Sequence, residues 1–503
     1  MVQAVVCGFY ILLFVFIIYK STFFNIPRIS SHGIVLLFLS KMVAATLLWK
    51  LFVSYYPVSD ASVFFDDSKF LYDACWNDWE TFRCLFFGLG DSPASGALQA
   101  KMMAWNGTHD AFIVDNSRTL IRLNTLLRFF SFGHFYVHAV IISFFSFAGF
   151  VYLYKLFFHY LPKLYWILII TLFLLPSVLF WSSTVLKEGV LFLGIGMLLY
   201  HTQLGLKNKY RYTNIIGLLL GMLVLILVKI YVLIALLPGL IANLWIACSS
   251  HRYIILKYVT TYCILLFGLF IMSSVSPSLN MASVVKDKQA NAISMSRGQL
   301  LIRHDSTFVS LDYVQKDLLQ PHGQGYKLKK GHRYLSFKQG KDTLQIDGAT
   351  DTMLFHTVYA IVPANSTFII SKVKPSLMDM LKNAPVAFFN TLIIPSLFSL
   401  DRPFSTVILV QHIGVLLYLF LISVFFMKRK IPLAITLFCF SFVILLFSLI
   451  GLTTPVLGAL VRYRIPGIPF LIIGFTLMAD ESKILRLMQG LKANLFNHTY
   501  PKK

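Results

Sequence analysis

Apolar runs of about twenty residues recur along this chain, separated by short polar turns. They fall at about 3–19, 33–56, 134–157, 164–181, 187–203, 213–229, 231–248, 253–275, 404–427, 431–451 and 460–479. Each has the length of one membrane crossing, so the pattern predicts about eleven transmembrane helices. A further apolar stretch at about 384–400 is broken by Pro385 and Pro395 and reads as a re-entrant or surface helix. Two polar inserts interrupt the series, at 57–133 and 276–383. In the second, Thr343–Ile346 and Thr367–Ile370 read as short strands, and no long helix is expected before Leu377. The expected fold is an all-α polytopic membrane protein with a small mixed α/β insert. Its parts are an N-terminal transmembrane module, 1–275, the insert, 276–383, and a C-terminal module, 384–503.

Composition agrees with that pattern. Of 503 residues, 57% are hydrophobic and 13% charged, and the mean hydropathy is +0.73. These values exclude a soluble enzyme and a disordered chain. The net charge of +23 would suggest nucleic acid on a soluble protein. Here it follows topology. If the eleven spans alternate, Lys20 and Arg28, Lys155 and Lys163, Lys207 to Arg211, Arg252 and Lys257, Lys428 to Lys430 and the tail all face one side. That face holds 17 Lys/Arg and two acids, Asp480 and Glu481, which makes it cytoplasmic. The N-terminus and both inserts are then outside, the C-terminus is cytoplasmic, and no nucleic-acid partner is needed. No early stretch reads as a removable signal peptide.

The chemistry is expected on the outer side. The first insert is acidic, with nine acids against six bases. Asp60 leaves the second span at the membrane boundary beside Tyr55 and Tyr56. Partial desolvation there would raise its pKa and suit it to general-base work. Asp66, Asp67 and Asp73 follow. Asn116–Phe130 is amphipathic, with Arg118, Arg122 and Arg128 expected to face lipid headgroups. Lys187 and Glu188 open the fifth apolar run. Lys229 ends the sixth and can snorkel. Arg462 and Arg464 lie at the outer end of the last run, against the positive-inside trend. A phosphate contact would account for them. Cys75 and Cys84, the cysteines outside the spans, have a spacing that permits a bridge without demanding it. Gly194 and Gly196 lie inside a span and read as helix packing. There is no metal-ligand spacing, so no metal site is expected, and a divalent-ion requirement is left open.

Three segments together resemble a known family. They are Tyr55-Tyr56-Pro57-Val58-Ser59-Asp60, continuing to Phe64-Phe65-Asp66-Asp67; Pro176-Ser177 through Trp181-Ser182 to Lys187-Glu188; and Arg462-Tyr463-Arg464-Ile465-Pro466 with Pro469-Phe470. In order and sidedness they resemble GT-C-type integral-membrane glycosyltransferases. These include bacterial relatives, of Bacteroidetes type, of the dolichyl-phosphate-mannose protein mannosyltransferases. The resemblance implies a GT-C-like bundle in a bacterial inner membrane, with its active face to the periplasm. It implies transfer of a sugar from a polyprenyl-phosphate-linked donor to a glycan, lipid or protein acceptor, with inversion. Asp60 would be the catalytic base. Asp66, Asp67, Lys187, Glu188, Arg462 and Arg464 would contact substrate.

Two other functions fit parts of the pattern. An outer-leaflet polysaccharide polymerase or ligase would depend on loop arginines instead of Asp60. A non-enzymatic polysaccharide or lipid transporter would use charges within spans, for which Lys41 and Lys50 are the strongest hint.

Overall fold

The computed structural model describes residues 2–55, 59–90, 92–105, 116–207, 211–275, 280–304, 307–312, 317–323, 325–329, 333–338, 343–347, 354–361, 363–364, 366–397, 403–428, 430–487 and 489. Tyr56 lies outside them. Helices dominate. The first module contains α1 (Val2–Lys20), α2 (Ser31–Tyr55), α3 (Asp60–Asn77), α4 (Trp79–Phe87), α5 (Ser95–Lys101), α6 (Asn116–Ser131), α7 (Phe135–Phe158), α8 (Tyr165–Ile169), α9 (Pro176–Trp181), α10 (Lys187–Lys207), α11 (Tyr212–Cys248) and α12 (Ile254–Val275). Among the described residues, eight helices are long and apolar enough to cross a membrane, nine if a bent C-terminal pair counts as one span. The chain is therefore a multi-pass, mainly α-helical membrane protein.

The core lies between α7, α10 and the first half of α11. Small residues let these backbones meet: a Cβ on Gly196 would sit 2.3 Å from the Gly149 carbonyl oxygen, and one on Gly221 2.5 Å from the Leu198 nitrogen. The expected packing role of Gly194 and Gly196 agrees with this. The α11 helix hides a reversal. Lys229 has extended dihedrals, φ −154° and ψ 82°. Before it, α11 runs along α10, with Gly194 against Leu225 and Lys229 level with Glu188. After it, Leu240, Asn243 and Ile246 line a cavity of about 440 Å³ together with Leu199, Thr202 and Gln203. A straight helix would carry Asn243 roughly 20 Å beyond Lys229, whereas Gln203 lies roughly 20 Å the other way. The chain therefore folds back at Lys229.

The run at 164–181 is interrupted. After α8 comes a π-helical turn, Ile170–Leu174, and Pro176 then starts α9. The insert opens with α13 (Met281–Ser296), although no helix was expected there. Asn280 caps it, its Oδ1 accepting from the Ala282 and Ser283 amides. Then come β1 (Gln299–His304), β2 (Thr307–Asp312), β3 (Leu319–His322), β4 (Gly325–Leu328), β5 (Arg333–Lys338), β6 (Thr343–Asp347) and β7 (His356–Ile361). Five form an antiparallel sheet in the order β6-β5-β2-β1-β7, and β3-β4 is a separate hairpin. The strand expected at Thr367–Ile370 is reduced to one bridge, Thr367 with Val456.

The last module contains α14 (Leu377–Ile393), α15 (Pro403–Phe425), α16 (Leu433–Thr453), α17 (Leu457–Tyr463) and α18 (Gly467–Met478). The α14 helix carries Pro385 within it and runs into a 3-10 turn, Ile394–Leu397. It lies close against α16, where a Cβ on Gly451 would meet the Ala387 carbonyl oxygen at 2.1 Å. The helices α17 and α18 meet at a 56° bend. At the opposite end from Glu188, Met427 pairs with Ala479, and the Asp480 amide donates to the Phe426 carbonyl.

The α6 arginines do not face lipid. Arg122 donates to the Leu85 carbonyl through Nη2 at 2.8 Å, and Arg128 Nε donates to Ser68 Oγ at 2.7 Å. Leu126, Phe129 and Phe130 are exposed in their place. Arg122 thus satisfies a carbonyl in the last turn of α4, where the helix leaves it unpaired, and Arg128 satisfies the Ser68 hydroxyl and the Phe65 carbonyl within α3. Cys75 and Cys84 are free thiols.

Candidate functional site

Asp60 is the first residue of α3. Ser59 caps that helix: its Oγ accepts from the Ser62 amide, and the Ser62 Oγ accepts from the Ser59 amide. The carboxylate thus sits at the positive end of a helix. From there a continuous ionic chain runs inward. Arg462 Nη1 donates to Asp60 Oδ2 at 2.6 Å, and its Nε donates to Glu188 Oε1 at 2.9 Å. Lys229 Nζ donates to the same Glu188 oxygen at 2.7 Å. Four elements distant in sequence therefore supply one site: the start of α3, the start of α10, the reversal in α11 and the last turn of α17.

Aromatic rings wall the chain. Arg462 lies 5.6 Å from the Trp181 ring, and Lys229 lies 4.7 Å from the Tyr463 ring. Exposure separates the members. The Asp60 side chain is 56% exposed, Arg462 12%, Lys229 3% and Glu188 0%. Asp60 is thus the member open to solvent, and Glu188 is an internal counter-ion for two cations. Lys187, its neighbour, donates to Asn116 Oδ1 at 2.8 Å and Ser117 Oγ at 3.1 Å, within electrostatic reach of Asp60.

The electrostatics differ from the expectation of a raised Asp60 pKa. Packing around the carboxyl does push upward. The Arg462 and Lys187 charges and the Arg462 hydrogen bond outweigh it, so the pKa lies below the ordinary carboxylate range. Asp60 is ionised at neutral pH and held by a cation.

The other expected residues are dispersed. Asp66 is exposed, nearly two turns along α3, and loss of part of its hydration raises its pKa against the pull of Arg128. Asp67 is buried and accepts from the Met103 and Ala104 amides at 2.9 and 2.7 Å, so it ties down the chain after α5. Burial, the largest effect, lifts its pKa to about 6. Arg464 points away from Asp60. It is 2% exposed and donates to the Thr391 carbonyl at 3.2 Å, with His412 Nδ1 3.3 Å from its Nη2. Lys41 is equally buried, its Nζ donating to Ser182 Oγ at 2.7 Å.

Lys229 was expected only to snorkel, and its place in the ionic chain is new. The available signal was a lysine between two apolar runs at the same boundary as Glu188. Among the described residues no cluster of three metal-binding side chains occurs. Comparison with known proteins finds no matching family model, no matching curated protein and no matching solved structure.

Proposed function

We propose that this chain is a GT-C-like membrane glycosyltransferase with about eleven passes. It would move a sugar from a polyprenyl-phosphate-linked donor to a glycan, lipid or protein acceptor on the outer face of a bacterial inner membrane. One observation carries the reading. A half-exposed carboxylate, Asp60, stands against an arginine, Arg462, that a buried carboxylate holds from behind. That is a base and an anion-binding cation at one solvent-reachable point.

In this reading the donor phosphate competes with Asp60 for Arg462. As the guanidinium turns to the phosphate, Asp60 loses its cation, and its pKa rises towards the value a general base needs. The acceptor hydroxyl gives its proton to Asp60. Its oxygen bonds to the anomeric carbon from the face opposite the phosphate. The carbon–oxygen bond to phosphate breaks, and the lipid phosphate leaves with the electron pair, its charge met by Arg462 and Lys187. The anomeric configuration inverts. Glu188 and Lys229 keep Arg462 in place throughout.

The test is transfer from a polyprenyl-phosphate sugar by purified protein, wild type against Asp60→Asn. Removing a general base should lower turnover by about 10²–10⁴-fold while donor binding is retained. Transfer by the variant at the wild-type rate would sink the base assignment. Failure of the wild type to bind any lipid-linked donor would sink the transferase reading.

A further inference from the structure

The insert is fastened to the membrane bundle beside the turn that carries Arg462. Gln289, on α13, is 3% exposed. Its Nε2 donates to the Ser371 carbonyl at 2.9 Å and to the Leu452 carbonyl at 2.6 Å, and its Oε1 accepts from the Val373 amide at 2.9 Å. A primary amide has two N–H donors and one acceptor oxygen, and all are engaged. Ser371 and Val373 lie on the segment returning from the insert. Leu452 lies in the last turn of α16.

That returning segment also pairs with the chain leading into α17. The Phe368 amide donates to the Pro455 carbonyl at 2.9 Å, and the Leu457 amide donates to the Ser366 carbonyl at 2.8 Å. The pair between them is Thr367 and Val456. Val456 is the N-cap of α17, and Arg462 stands in the last turn of that helix. With seven residues and a 56° bend after it, α17 has no long helical axis to set its direction. Its entry at 455–457 does that.

We propose that Gln289 is a positioning residue. It clamps the insert to residues 452–457 and thereby sets Arg462 against Asp60, so that force on the insert reaches the site. The kinetic consequence rests on the transferase reading, and the clamp itself does not.

The test uses the full-length protein in lipid nanodiscs. Gln289→Leu removes the three hydrogen bonds and keeps side-chain bulk. Amide exchange across 455–464 should quicken at least tenfold while α7 and α10 stay protected. The kcat/KM for donor should fall by about ten- to a hundredfold, the effect of a displaced phosphate-binding group. Thr367→Cys with Val456→Cys supplies the rescue. The flanking bonds make this a non-hydrogen-bonded pair, whose Cα atoms stand about 4.5 Å apart, within disulfide range. Oxidised in the Gln289→Leu background, the bridge should restore both slow exchange and kcat/KM, and a thiol reductant should undo both.

Unchanged exchange in Gln289→Leu overturns the clamp, as does failure of the bridge to form. A bridge that restores exchange without kcat/KM makes Gln289 structural only and overturns the positioning role. Exchange is readable whether or not the wild type transfers sugar, so loss of the transferase reading and loss of the clamp give different results.

Discussion

Glu188 shows how a single residue decides this site. It has no exposure and answers two cations. Replacing it by Gln leaves Lys229 without a counter-charge in a low-dielectric interior and Arg462 with only the half-exposed Asp60. We expect a loss of about 3–5 kcal/mol, read as a lower melting temperature in detergent. The Asp60 pKa is depressed in the folded chain, so its stabilising pair with Arg462 persists above the unfolded pKa and is lost as pH falls through the folded one. For the transfer proposed above, with Asp60 as base, the acid limb of kcat/KM should therefore lie below the ordinary carboxylate range. Arg462→Met should move the limb upward, and a limb unmoved by that change would break the link. Asp67 has the opposite sign. Its folded pKa of about 6 lies above the unfolded value, so stability grows as pH falls from 7 through 6. Asp67→Asn should abolish that gain in a pH series of thermal unfolding.

At the scale of elements, close helix approach carries most of the packing. Gly196→Val should force α10 away from the Gly149 carbonyl and cost about 1–3 kcal/mol, measurable by thermal unfolding. What the sequence allowed at this scale depended on periodicity. Long uniform runs such as 134–157 read directly as spans. The helix at 281–296 escaped because the polar run Lys286–Gln289 splits its apolar positions, and only Asn280 marked its start. The reversal within 213–248 was visible because Lys229 divides two apolar runs. The inward turn of the α6 arginines was not visible, since amphipathicity says which residues share a face and nothing of what that face meets.

Taken whole, the molecule gathers Asp60, Glu188, Lys229 and Arg462 at one end of the bundle. The basic turn at 428 and Asp480 lie at the other. The boundary charges named this constellation in part, because a charge at the edge of an apolar run is costly unless it is paired. Which charges pair depends on tertiary folding, and so Arg464 was grouped with Arg462 although it faces Thr391 and His412. Sidedness is testable in a cysteine-free background. An impermeant thiol reagent should label Gln320→Cys, exposed on the insert, on intact spheroplasts and label Ser250→Cys only after lysis. The reverse pattern would invert the arrangement.

The ionic chain also sets an order of assembly. Glu188 meets Lys229 after 41 further residues, but Arg462 after 274. Asp60 waits 402 residues for the same arginine. At about 5–20 residues per second, that wait is on the order of 20–80 seconds of synthesis. Through that interval Lys229, the nearer cation of Glu188, is already made, whereas Arg462, the cation of Asp60, is not. The helix α17 then docks onto a waiting acid instead of carrying a bare charge into lipid, so the ionic chain closes only once Arg462 has been made.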